Sequence, residues 1–201
     1  MLKMGLTGGI ASGKSAVAAM LREMGFPVVE ADVVAHKLIE PGQPAHGEVL
    51  REFGAGLADS AGRIDRAKLA AIVFADPAKL AKLNKIIHPL VEQIIFRQFD
   101  EWQHSGVRDA GFVEAALLLE AGVAQKLDGL VVVFCSPEQQ LERLRSRGMS
   151  ELEAKRRLAA QLPLEEKLRH ATETINCSRS LEETRAQVRA LGAKLRKRTL
   201  S

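Results

Sequence analysis

Close to its start the chain carries Gly8-Gly9-Ile10-Ala11-Ser12-Gly13-Lys14-Ser15. The short apolar run Leu2 to Leu6 precedes it, and Val17, Met20, Leu21 and Met24 follow at helical spacing before a stop at Gly25. A buried strand, a glycine-rich turn ending in Gly-Lys-Ser and an amphipathic helix make a tightly constrained combination. The glycines let successive backbone N–H groups turn inward around phosphate oxygens, and the helix points its positive end at the same place. Lys14 can then reach the β- and γ-phosphates, and the Ser15 hydroxyl can hold Mg²⁺. A glycine-rich turn before a helix also arises by chance, but here the full pattern and both flanks coincide. The segment from Gly8 to Ser15 predicts a nucleoside triphosphate site.

Further along, Val28-Val29 behind Pro27 reads as a second strand ending near Glu30-Ala31-Asp32. Phe112 to Ala115, Leu130 to Cys135 and Thr174 to Asn176 read as the third, fourth and fifth. Strands separated by helix-length segments predict an α/β fold, a parallel sheet flanked by helices. Two stretches exceed a minimal alternation. From Val33 to Gly106 the apolar positions recur at helical spacing, as in Leu69, Ile72, Val73 and then Leu83, Ile86, Ile87, which predicts an inserted helical subdomain. From Gln139 to Arg169, charged residues surround Leu141, Leu144, Leu152 and Leu158, predicting a helical hairpin that projects from the sheet and turns at Gly148.

Composition narrows the classes. Hydrophobic residues make up 46% and charged ones 27% of 201, which excludes wholesale disorder. Gly129 to Cys135, among the longest apolar runs, falls far short of a membrane span. The opening Met1-Leu2-Lys3-Met4 leaves no room for a signal peptide, and Cys135 and Cys177 form no Cys-x-x-Cys pair. A soluble, cytoplasmic protein is expected. The net charge of +4 suits an anionic small molecule as well as a nucleic acid. Aromatic residues are only 4%, too few for a base-stacking platform, and Lys194, Arg196, Lys197 and Arg198 read as a solvated last helical turn.

Several side chains bear on what happens at the phosphates. Asp32, at the predicted carboxyl edge of the second strand, suits a general base on an attacking hydroxyl, and equally a helix N-cap. His36 would sit one helical turn from it. Glu114 and Glu120 lie toward the same edge of the sheet, where Glu114 either stands beside hydrated Mg²⁺ or escapes to solvent at the strand end. Among Arg143, Arg147, Arg156 and Arg157, one or two are expected to grip phosphate through the bidentate guanidinium fork. His88-Pro89 is expected to end one helix and open the next. For His46, His104 and His170 the sequence suggests no partner.

Taken together these motifs resemble the dephospho-CoA kinase family. The resemblance rests on Leu6 to Ser15, Glu30-Ala31-Asp32-Val33-Val34-Ala35-His36, Ile64-Asp65-Arg66 with Leu69, and Val73-Phe74. It continues through Leu83-Asn84, His88-Pro89-Leu90, Leu117-Leu118-Leu119-Glu120 and Arg143 to Arg147, in the family's order. It implies transfer of the γ-phosphoryl of ATP, with Mg²⁺, to the ribose 3′-hydroxyl of dephospho-CoA. The implied organisation is a nucleotide-binding core (residues 1–32, 107–138 and 170–201), a helical CoA-binding insertion (33–106) and a helical lid (139–169). The implied catalytic residues are Asp32 as base, Lys14 and the lid arginine Arg143, with Arg147 also on the lid. Acceptor contacts are implied for Asp32, His36, Asp65, Arg66, His88, Leu117 and Glu120, and metal contacts for Ser15 and Glu114. ATP and dephospho-CoA are then the expected partners of a monomer that binds neither nucleic acid nor membrane.

The chain departs from the family pattern at Ala116, where proline is usual, and at Asn176-Cys177, where Asp-Asn is usual. Its lid turn, Arg147-Gly148-Met149-Ser150, lacks an acidic residue. Other readings of the phosphate loop are a different small-molecule kinase and an ATP-driven switch. A guanine-specific Asn-Lys-x-Asp is absent, since Asn84-Lys85-Ile86-Ile87 lacks the aspartate. A nucleic-acid-binding role for the basic tail is the remaining alternative.

Overall fold

A computed structural model describes residues 1–198; residues 199–201, the end of the expected core, lie outside the described residues. The described chain divides into two compact units, residues 1–29 with 99–198 and residues 30–98.

The first unit is built on a sheet of β1 (Leu2–Thr7), β2 (Val28–Glu30), β3 (Ala110–Glu114), β4 (Gly129–Phe134) and β5 (Glu173–Asn176), ordered β2-β3-β1-β4-β5. The pairs β1–β3, β1–β4 and β4–β5 are parallel. All five strands lie within two residues of their predicted positions. The central strands are buried on both faces, which is why β3 and β4 read as continuous apolar runs rather than alternating ones. On one face, Val17, Ala18, Met20 and Leu21 of α1 (Lys14–Glu23) pack with Val188, Leu191 and Leu195 of the last helix, α9 (Leu181–Arg198). Gly192 permits the close approach of that helix, because a Cβ there would lie 2.4 Å from Met24 Cε. Along the sheet, β1 connects outward toward β2 and β4 connects the opposite way to β5. The loops after β1 and β4 thus open a crevice at the carboxyl edge, where such sheets take ligands.

The basic end of α9 is more than a solvated turn. Arg196 donates to the Met24 carbonyl at 2.7 Å and its guanidinium lies 5.1 Å from the centre of the Phe26 ring, while Lys194 pairs with Glu173.

Between β4 and β5 run α6 (Pro137–Ser146), α7 (Glu151–Ala159) and α8 (Leu164–Arg169). A capping box of Ser136 and Gln139 starts α6, with Pro137 at its first turn. Gly148 turns the chain in the left-handed region (φ 80°), and Ser150 caps α7. The predicted hairpin is therefore present, but the stretch does not project throughout. Its third helix, α8, returns to β4 and buries Lys167 to 1% exposure.

The second unit is helical: α2 (Ala31–Leu38), α3 (His46–Phe53), α4 (Arg66–Phe74) and most of α5 (Pro77–His104). His88-Pro89 does not divide two helices. Pro89 lies inside α5, a single element of 28 residues, and costs it one backbone hydrogen bond without ending it. At the far end of α5, Phe99 and Trp102 stack edge-to-face and close over Gly111 of β3, which joins these residues to the first unit.

Two outcomes are expected. At Gly8 a Cβ would lie 2.0 Å from the Val133 carbonyl oxygen, so Gly8→Ala should cost about 3 kcal/mol in chemical denaturation. His88 is half-buried, and burial lowers its pKa from the usual 6.5. The folded state thus resists protonation, and the stability this confers is complete above about pH 6.5 and lost as pH falls below it. The stability difference between wild type and His88→Gln should therefore shrink as pH falls from about 7.5 to 5 in urea titrations; a constant difference would contradict the assignment.

Candidate active site

The loop between β1 and α1 owes its shape to close approach. Gly8 lies against the Val133 carbonyl of β4, and Gly13 adopts φ 109° with space for a Cβ only 3.0 Å from Cys177 Sγ. Ala11 holds φ 58°, the one left-handed non-glycine among the described residues, which turns its peptide inward as an anion-binding loop requires. Lys14 folds over the loop and donates from Nζ to the Gly8 and Gly9 carbonyls, at 3.0 Å each. Ser12 is 1% exposed, and its Oγ has no hydrogen-bond partner among the described residues.

Ser15, at the second position of α1, donates from Oγ to Glu114 Oε1 at 3.2 Å. Glu114 is 8% exposed, so its carboxylate does not escape to solvent at the end of β3. The structure brings the two expected metal contacts together as hard oxygen donors, the set that suits Mg²⁺. No group of three His, Cys, Asp or Glu that could hold a metal occurs among the described residues.

Arg143, on α6, is half-buried. Nη1 donates to the Ala11 carbonyl at 3.1 Å and to Cys135 Sγ at 3.4 Å, and Nη2 donates to the Cys177 carbonyl at 3.0 Å. Its guanidinium thus joins the phosphate loop to the ends of β4 and β5. Arg147 follows at the end of α6 and is exposed. Burial raises the pKa of both cysteines, and the nearby Arg143 only partly offsets this, so both stay protonated thiols at neutral pH.

At the turn after β3, Leu117 is 38% exposed while Leu118 is buried. Glu120 accepts from Leu162 N–H at 3.0 Å and pairs with Lys167 Nζ at 2.9 Å. Lys167 also donates to the Ala116 carbonyl at 2.7 Å, which accepts from Thr7 Oγ1 at 3.2 Å as well. The turn that lacks proline is thereby held by two donors to one carbonyl. At the other departure, Asn176 Oδ1 accepts from Ser178 N–H, and Gln187 bonds both polar groups of the Asn176 backbone. Lys167 was invisible as a site residue in sequence, one more charge in a charged stretch.

In the helical unit, β2 ends at Glu30, so Asp32 is the second residue of α2 rather than a strand edge, and Glu30 rather than Asp32 occupies the N-cap. Asp32 and His36 are both exposed on α2, at opposite ends suited to the helix dipole. Asp65 caps α4 by accepting from the Ala67 and Lys68 N–H groups, and Arg66 beside it is exposed. His88 stands mid-helix on α5. The three histidines without an expected partner each have one: His46 on the Gly62 carbonyl, His104 on the Asp100 carbonyl and His170 beside Glu166.

Comparisons with known proteins show the family. The dephospho-CoA kinase family, CoaE, matches residues 2–183. The dephospho-CoA kinase of Geobacillus kaustophilus is 43% identical over 94% of this chain and 94% of its own. Among solved structures, TT1252 from Thermus thermophilus superposes with a TM-score of 0.81 at 35% identity, over 96% of this chain and 97% of that one. The dephospho-CoA kinase from Campylobacter jejuni gives 0.73 at 27% identity, over 97% of each chain. With its phosphate loop formed and its length matched almost end to end, the chain belongs to the dephospho-CoA kinase family.

Proposed function

We propose that the protein transfers the γ-phosphoryl group of ATP to the ribose 3′-hydroxyl of dephospho-CoA, giving coenzyme A and ADP. The observation that carries this reading is the family match over residues 2–183, which takes in the Asp32 and His88 segments as well as the phosphate loop. A phosphate loop alone is shared by many kinases and switches; those segments are what favour this acceptor.

In this account the N–H groups from Ala11 to Ala16, with Gly9 at the loop's start, wrap the ATP phosphates. Lys14 moves from the Gly8 and Gly9 carbonyls to phosphate oxygens. Ser15 and Glu114 hold Mg²⁺, which when bound neutralises charge on the phosphates. Asp32 accepts the proton of the 3′-hydroxyl as that oxygen bonds to the γ-phosphorus and the bond from phosphorus to the β–γ bridging oxygen breaks, its electron pair leaving with ADP. Arg143 and Arg147, on a lid of residues 139–169, balance charge in the transition state. His36, Asp65, Arg66, His88, Leu117 and Glu120 bind the acceptor, those from 33 to 106 as a CoA-binding insertion. Closure of the lid keeps water from taking the phosphoryl group.

In this reading the protein acts as a monomer, and its partners are ATP and dephospho-CoA. No helix among the described residues is long and apolar enough to cross a membrane. The reading places the enzyme in the cytoplasm, with its two substrates.

Asp32→Asn should lower kcat for coenzyme A formation by about 10²- to 10⁴-fold while ATP affinity changes little; an unchanged kcat would remove Asp32 as the base. Lys14→Ala should damage both ATP binding and turnover. Glu114→Gln should raise the Mg²⁺ concentration for half-maximal rate severalfold, on the order expected when one charged ligand is lost. An unchanged Mg²⁺ dependence would exclude Glu114 from the metal site.

A further inference from the structure

The phosphate loop is gripped from outside at a single residue, through the two peptide groups that flank it. Gln161 Oε1 accepts from the Ile10 N–H at 2.9 Å, and Gln140 Nε2 donates to the Ile10 carbonyl, also at 2.9 Å. Gln140 belongs to α6, while Gln161 follows the end of α7, so the two sides of the hairpin converge on one residue. The contact is also apolar: Ile10 and Ala11 pack with Leu141, Leu144 and Ala154. Ile10 directly precedes Ala11, whose left-handed backbone is the strained point of the loop. It also lies just outside the run of N–H groups from Ala11 to Ala16. The clamp therefore engages none of the N–H groups from Ala11 to Ala16 while fixing the residue that leads into them.

Gln161 is itself anchored. The next residue, Leu162, donates its N–H to Glu120, which pairs with the buried Lys167. Lys167 in turn shares the Ala116 carbonyl with Thr7, the residue at the end of β1 from which the loop departs. The loop is thus tied to the returning segment of the arm at its apex and, through this chain of bonds, at its root.

We propose that Gln140 and Gln161 are positioning residues for phosphoryl transfer, holding the peptide groups on both sides of Ile10 so that the following N–H groups stay preorganised for the triphosphate. The proposal rests on the kinase reading above. Loop donors fixed before the substrate arrives need not be reorganised during reaction, which is where preorganised sites gain rate.

The polarity of the clamp supplies the test. The Ile10 N–H needs an oxygen opposite it and the Ile10 carbonyl needs a donor. Gln161→Glu keeps the oxygen, whereas Gln140→Glu sets a carboxylate oxygen against a carbonyl oxygen. Both substitutions preserve side-chain shape and bring the same charge to the same loop, so charge and packing effects largely cancel in the comparison. Calorimetric Kd for Mg·ATP should rise at least about tenfold more in Gln140→Glu than in Gln161→Glu. In steady-state assays kcat/KM for ATP should fall in the same order, while KM for dephospho-CoA stays near that of wild type. Thermal midpoints are measured alongside. Equal effects in the two variants, or losses that simply follow the thermal midpoints, would overturn the proposal. Failure of the wild type to form coenzyme A would instead sink the kinase reading, and the ATP affinities would still decide the clamp.

Discussion

The approach of the phosphate loop to the ends of β4 and β5 is the contact on which the rest of the first unit turns. Gly8 fits against the Val133 carbonyl and Gly13 against Cys177 because neither carries a Cβ. That approach lets Arg143 span from Ala11 to Cys177 and brings the Ser15 hydroxyl to Glu114. Two strand-end thiols, held neutral by burial, form the floor under the loop. The site is thus made by backbone proximity first, and its charged side chains are placed by that proximity.

The charged segment between β4 and β5 belongs to the same design. Its hairpin contributes apolar residues and two glutamines to the loop's outer side, and its last helix carries Lys167 back beneath the turn after β3. A buried ammonium is costly unless paired, and here Glu120 and the Ala116 carbonyl both receive it. The elements expected to touch ATP and those expected to touch the acceptor side are therefore joined by hydrogen bonds within this unit.

The strands, the loop and the helix after it were legible because periodicity and the glycine-lysine-serine pattern report local geometry directly. Ser15 and Glu114 were each legible as candidate metal contacts, but their pairing depends on β3 lying beside β1, a strand order the sequence does not state. What was hidden depended on tertiary context. Lys167, Gln140 and Gln161 look like ordinary surface residues until α8 folds back onto β4. The continuity of α5 through Pro89 could not be read from a rule that treats proline as a boundary, because a long helix with many other contacts tolerates one missing bond. Asp32 was placed at a strand edge because β2 stops only two residues earlier, at Glu30. The partners of Arg196, Met24 and the Phe26 ring, were likewise out of reach of sequence spacing.

The central claim is that this preorganised loop serves phosphoryl transfer to dephospho-CoA. The most direct measurement is a mass-resolved assay of the purified protein with Mg·ATP and dephospho-CoA, beside an otherwise identical reaction lacking the acceptor. The account predicts coenzyme A and ADP in equal amounts in the first reaction and little ADP in the second. Equal ADP in both reactions with no coenzyme A would contradict it and point to an ATP-driven switch.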